Sequence, residues 1–131
     1  MSNFAIRRSY IEKLHCYKLR NIIARLRLSS HMLNIERGRY VNIARKDRKC
    51  VLCTKNDLED EYHFVLICSL YSDVRKRYIN KFYCSRPSMF KFVELLNSDN
   101  RVCLRKLALF CKHAFKLRYN ALNNNVYSYF I

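Results

Sequence analysis

Four side chains constrain this chain more than anything else in it: Cys50, Cys53, His63 and Cys68, in the spacing Cys-x2-Cys-x9-His-x4-Cys. Three soft thiolates and one imidazole are the donors a zinc ion selects, and together they close a tetrahedral shell. The two-residue gap lets Cys50 and Cys53 grip one ion from a single tight turn. The loop from Thr54 to Tyr62 then brings the chain back, with His63 at or near the start of a helix. The four-residue gap to Cys68 places both ends of one helical turn within reach of the ion. The plainer alternative is a set of ordinary buried cysteines and one core histidine, but paired ligands at finger-like spacing are a stronger signal than a lone CxxC. Four protein ligands leave no position for water, so the expected zinc is structural rather than catalytic.

Charge is the second constraint. The chain carries 26 Lys and Arg against 10 Asp and Glu, a formal net charge of +16. Residues 1–49 hold 13 basic and 3 acidic side chains, residues 69–131 hold 12 and 3, and residues 54–68 hold one lysine against Asp57, Glu59, Asp60 and Glu61. Two basic arms thus flank a locally acidic metal loop. Such an excess is the electrostatic footprint of a polyanion, most often nucleic acid, with an acidic membrane surface as the rival. The candidate phosphate contacts are Arg20, Arg25, Arg27, Arg37, Arg39, Arg45, Lys46, Arg48, Lys49, Arg75, Lys76, Arg77, Arg101, Arg105, Lys112 and Lys116. Tyr40, Tyr62 and Tyr71 are candidates for stacking on unpaired bases.

Composition fits one domain of 131 residues, half of them apolar, with seven cysteines and no apolar run near the ~20 residues of a membrane span. Ile6 is followed at once by Arg7 and Arg8, so no signal peptide is expected. Free thiols available for zinc suit a reducing intracellular compartment, nuclear or cytoplasmic.

The expected fold is mostly α: a small helical domain over residues 1–119, organised around the knuckle at 50–68. A basic helix covers 4–28, with Leu19, Ile22, Ile23 and Leu26 on one stripe and a kink near His15–Lys18. A connector spans 29–49, where Gly38, the only glycine, is expected to supply a positive-φ turn. His31 reads as a surface or capping residue. The helical remainder, 69–119, has a helix from Leu70 to Tyr83, then Pro87 opening a helix that buries Met89, Phe92, Val93 and Leu96. A last helix, Arg101 to about Tyr119, buries Cys103, Leu104, Leu107, Cys111, Ala114 and Phe115. Residues 120–131 read as a frayed tail. Glu59, Asp60 and Glu61 read first as capping acids at a helix start, and second as partners that orient His63.

Taken together, Arg25 to His31, Ile35-Glu36-Arg37-Gly38-Arg39, Cys50-Val51-Leu52-Cys53 and Glu59 to Cys68 resemble the C-terminal zinc-binding region of non-LTR retrotransposon reverse transcriptases, over about residues 19–82. In that family an arginine-bearing helix precedes a Cys-Cys-His-Cys knuckle. The resemblance implies a zinc-stabilised module that helps hold template RNA or target DNA. It also implies a detached piece without catalysis. The chain has no adjacent aspartate pair for a polymerase palm, and after Cys68 its only acids are Asp73, Glu94 and Asp99. Two other readings remain: a zinc-scaffolded protein-interaction module whose basic arms meet an acidic partner, and an inert remnant of a mobile element.

Overall fold

The structure, a computed structural model, describes residues 17–130, with side chains described for 18–123. Residues 4–16 of the expected basic helix, and with them part of the expected kink, lie outside those bounds. Among the described residues six α-helices carry the fold: α1 (Tyr17–Arg27), α2 (Asn34–Tyr40), α3 (Ser72–Tyr78), α4 (Lys81–Cys84), α5 (Met89–Leu96) and α6 (Arg101–Phe130). Short 3-10 turns at Arg45–Asp47 and Ser69–Tyr71 and a π-helical turn at His63–Ile67 fill the connections. Among the described residues the extended pairing is one antiparallel bridge, Lys49 with Leu58. No helix among them is long and apolar enough to cross a membrane.

α6 is the spine, and α1 and α3 pack against it. Its buried face runs through Leu104, Leu107, Ala108, Phe110, Cys111 and Ala114. α1 contributes Ile23 and Leu26, with Leu19 and Ile22 partly buried, as its apolar stripe requires. α1 stops where Ser29 takes φ 55°, with Ser30 N donating to Arg25 O at 2.8 Å and Ser29 N to Leu26 O at 3.3 Å. That is the Schellman pairing, with serine in the left-handed position glycine usually fills. The Arg27 guanidinium then ties α1 to the far end of α5 through Leu96 O.

Several expectations need correction. The connector 29–49 is not irregular: it holds α2, and Gly38 sits inside that helix, buried and without positive φ. Its lack of a side chain serves close approach instead. A Cβ there would meet Arg48 Cγ at 2.5 Å and Cδ at 2.6 Å. Leu70–Tyr83 is not one helix either. It breaks at Ile79, and Asn80 caps α4 by accepting from Phe82 N at 2.8 Å. In α5 the buried residues are Phe92 and Leu95, while Met89 and Val93 are about half exposed. Pro87 lies just before that helix rather than in its first turn, and Ser88 caps it, accepting from Lys91 N. α6 continues past Tyr119 to Phe130, since neither glycine nor proline interrupts residues 120–130.

Candidate metal centre

The four expected ligands converge. Their donor atoms all lie within 4.8 Å of one another, with Cys50, His63 and Cys68 buried and Cys53 partly so. Cys50 Sγ stands 3.9 Å from Cys68 Sγ, and Cys53 Sγ stands 3.5 Å from His63 Nε2. Such a Cys3His cluster could hold a metal ion.

Local sequence explains each placement. Cys50 N donates to Asp57 O at 2.8 Å and Glu59 N to Arg48 O at 2.9 Å, which folds the loop back on itself. Asn56, at φ 58°, supports that reversal. Within the tight turn Leu52 N points at Cys50 Sγ, 3.4 Å away, a weak donor that favours the thiolate. Asp60 Oδ1 accepts from His63 N at 2.9 Å and so caps the segment. Cys68 N then donates to His63 O at 2.7 Å, closing a turn one residue wider than an α-helical one. The four-residue gap between His63 and Cys68 is therefore a π-helical turn, and it brings both ligands to one side.

That wider turn carries Phe64, Val65 and Leu66 straight into the core. Phe64 packs on Tyr71, Phe110 and Phe115 with ring centroids 4.9, 5.7 and 4.4 Å apart. The turn also leaves carbonyls without helical partners. Arg75 supplies them, donating from Nε to Val65 O at 2.7 Å and from Nη2 to Phe64 O at 3.2 Å. Arg75 is 6% exposed, so the expected phosphate contact at this position is replaced by a backbone-clamping role. Burial pulls its pKa down.

The three acids before His63 have separate tasks. Asp60 caps, as expected. Glu59 neither caps this turn nor reaches His63. It accepts from Asn34 N at 2.7 Å, at the start of α2, and takes two bonds from Arg118, at 2.8 and 3.0 Å. Glu59 and Arg118 are 1% and 5% exposed, a buried pair joining the metal loop to α6. Burial alone would lower the Arg118 pKa, but Glu59 reverses the direction. Arg118 has no periodic or motif context that marks it in the sequence. Glu61 accepts from Ser29 Oγ at 2.7 Å and pairs with His31 Nε2 at 2.8 Å. Of the two readings offered for His31, surface or capping, burial at 3% exposure removes the first, and Nδ1 accepts from Leu33 N at 3.3 Å ahead of α2. Burial alone would raise the Glu61 carboxyl, yet the bonds from His31 and Ser29 outweigh it and bring it down to about 2.

The residue that does face the ligand histidine is Asp57, whose Oδ2 lies 3.7 Å from the buried His63 Nδ1, an atom with no hydrogen-bond partner. A metal on Nε2 leaves the proton on Nδ1, where a carboxylate is the usual outer partner. The thiols show what the pocket needs. Cys50 is pushed up to about 12, first by its hydrogen bond with Cys68 and then by burial. The same bond holds Cys68 below its ordinary value.

The remaining candidate cations divide. Arg25, Arg37, Arg39, Arg45, Lys46, Lys76, Arg77, Arg101, Arg105, Lys112 and Lys116 are exposed, and Arg20, Arg27, Arg48 and Lys49 are partly covered. Arg48 is committed inward, donating to Ile43 O at 2.9 Å and Ile35 O at 3.0 Å. Arg39 lies 3.3 Å from Glu36, an exposed guanidinium resting on a largely buried carboxylate. Tyr71, 1% exposed beneath the knuckle, is no stacking platform, and burial raises its phenol. Tyr62 is partly buried with its ring edge-on to Phe92, whereas Tyr40 is 82% exposed. Comparison of the chain with protein families, with characterised proteins and with solved structures finds no match.

Proposed function

We propose that this chain is a zinc-stabilised, non-catalytic module that binds nucleic acid through its phosphates. Zinc is the metal the donor set favours. Zn–S bonds of ~2.3 Å and Zn–N bonds of ~2.0 Å imply tetrahedral edges of about 3.8 Å between sulfurs and about 3.5 Å between sulfur and nitrogen. The separations of 3.9 and 3.5 Å agree with both. Three thiolates also disfavour magnesium or calcium, which take oxygen ligands. A full shell of protein donors gives the ion a folding role.

The observation that carries the nucleic-acid reading is a cleft of about 620 Å³ between α3, α4 and the start of α6. Lys76, Arg77, Lys81 and Lys106 line it, and none of the four has a carboxylate partner among the described residues. Lys81 and Lys106 were not among the cations expected from the sequence. Concentrated, unneutralised positive charge on a folded surface releases counterions when phosphates replace them. The resemblance to the zinc-binding region of retrotransposon reverse transcriptases points the same way. A second reading, docking of a protein, draws on the apolar side chains of Phe82, Met89, Phe90 and Val93, all about half exposed or more.

Fluorescence anisotropy of the zinc-loaded chain with single-stranded RNA and with duplex DNA, across a salt series, tests the proposal. A log–log salt slope of several units is expected. Weak, salt-independent binding to both would overturn it and favour the protein-docking surface.

A further inference from the structure

A second cleft, of about 640 Å³, lies between α1, α2 and the C-terminal half of α6, away from the cationic one. Its character is different. Ile22, Leu26, Phe115 and Leu122 line its interior, and Arg25 and Arg37 stand on its wall. Both arginines are exposed, and neither guanidinium has a polar partner among the described residues. Tyr119 and Met32, 67% and 66% exposed, also line the cleft and are large apolar groups left in water. Beneath them Arg118 is locked by Glu59 and Asn34, so one side of the cleft is held rigid by the same pair that anchors the metal loop.

We propose that this cleft holds one unstacked nucleotide of a single strand, its base against Tyr119, Phe115 and Ile22 and its phosphate on Arg25 and Arg37. The inference rests on the nucleic-acid reading above and adds the ligand's form. Apolar walls with two bare guanidinium groups match an aromatic base joined to an anion better than they match either part alone. The volume lies within the range of sites for small organic ligands. A base can enter a concave site only when it has left its stack, which selects a single strand over a duplex. Ser30 and Asn123, also in the lining, offer hydrogen-bonding groups for a base edge.

The test uses the full zinc-loaded chain. Uridine 5′-monophosphate, uridine and inorganic phosphate are titrated separately while amide and methyl NMR shifts are followed, and an oligouridylate strand and a DNA duplex are titrated by anisotropy. The mononucleotide is expected to shift Ile22 and Phe115 and to bind roughly tenfold more tightly than uridine or phosphate. Tyr119→Ala should weaken it by roughly five- to a hundredfold, the range for loss of one base–aromatic stack. Arg25→Gln with Arg37→Gln should bring it to the level of uridine. All three side chains are exposed, so thermal melting should stay unchanged and separate a binding loss from misfolding. Equal binding of mononucleotide and phosphate, or no effect of Tyr119→Ala, overturns the inference. If the oligomers still bind with a steep salt slope in that case, the backbone reading stands alone; if they do not, that reading fails as well. Displacement of the mononucleotide by a stoichiometric acidic amphipathic peptide of tighter affinity would also overturn it, in favour of a protein ligand.

Discussion

The metal loop and the helical body are held by different physics. In the body, α1 and α3 pack against α6 through apolar side chains. The stretch from Val51 to Leu58 has almost nothing of that kind. Val51 is 66% exposed, Thr54 to Asp57 are exposed, and Leu52 and Leu58 are only partly covered. Its order comes from four donor atoms around one point and from polar ties to its surroundings. The two regions meet at His63–Ile67, where one turn supplies two ligands on one side and three core residues on the other. A metal ion held by these four donors would fix the loop onto the packed helices.

The sharpest way to break that contrast is to remove the metal. Cys53→Ser or His63→Ala should abolish stoichiometric metal and release residues 48–63, because binding energy here is folding energy. Amide exchange should rise throughout the loop while the buried positions of α6 stay protected. Uniform loss of protection would show that the two regions are one cooperative unit.

The next largest effect concerns the polar tie between them. Glu59→Ala leaves Arg118 buried and uncompensated, and removal of one member of such a pair costs about 3–5 kcal/mol. Chemical denaturation should show that drop. A change below about 1 kcal/mol would mean that Arg118 finds water and the tie is weak.

Gly38→Ala asks whether close approach or helix propensity governs α2. Alanine favours a helix by ~1 kcal/mol over glycine. Its Cβ, however, displaces the Arg48 stem, which holds the Ile35 and Ile43 carbonyls. Net destabilisation of about 1–3 kcal/mol is expected from the lost bonds and the overpacking. A rise in melting temperature would show that Arg48 moves aside freely.

The smallest effect belongs to Glu61, which ties the end of α1 to the metal segment. Its folded-state carboxyl is depressed from 4.5 to about 2. The corresponding stability is complete above about pH 4.5 and fades as pH falls towards 2. Glu61→Gln should therefore cost about 1–2 kcal/mol near neutral pH and flatten the acid limb between those values. Parallel acid limbs for the two proteins would contradict this.

The centre was legible because ligand chemistry is local: a Cys-x2-Cys pair and a His-x4-Cys pair carry their geometry in their spacing. The apolar stripes of α1 and α6 were legible for the same reason, as each is periodic. What spacing did not carry was the assignment of polar residues across long sequence distances. Arg75 and Arg118 look like any other surface cation until the carbonyls of Phe64 and Val65 and the carboxylate of Glu59 are placed beside them. Gly38 was misread because a glycine is more often needed for positive φ than for room. The π-helical turn escaped because its extra residue shows only in the His63–Cys68 separation, a gap that the ligand spacing of an α-helical turn also allows.

The account turns on a structural metal at the knuckle. X-ray absorption at the zinc edge, with metal content measured on the same purified chain, tests that most directly. The account predicts one zinc per chain with three sulfurs at ~2.3 Å and one nitrogen at ~2.0 Å. A chain that folds without stoichiometric metal, or a zinc shell containing oxygen in place of a Cys or His donor, would contradict it.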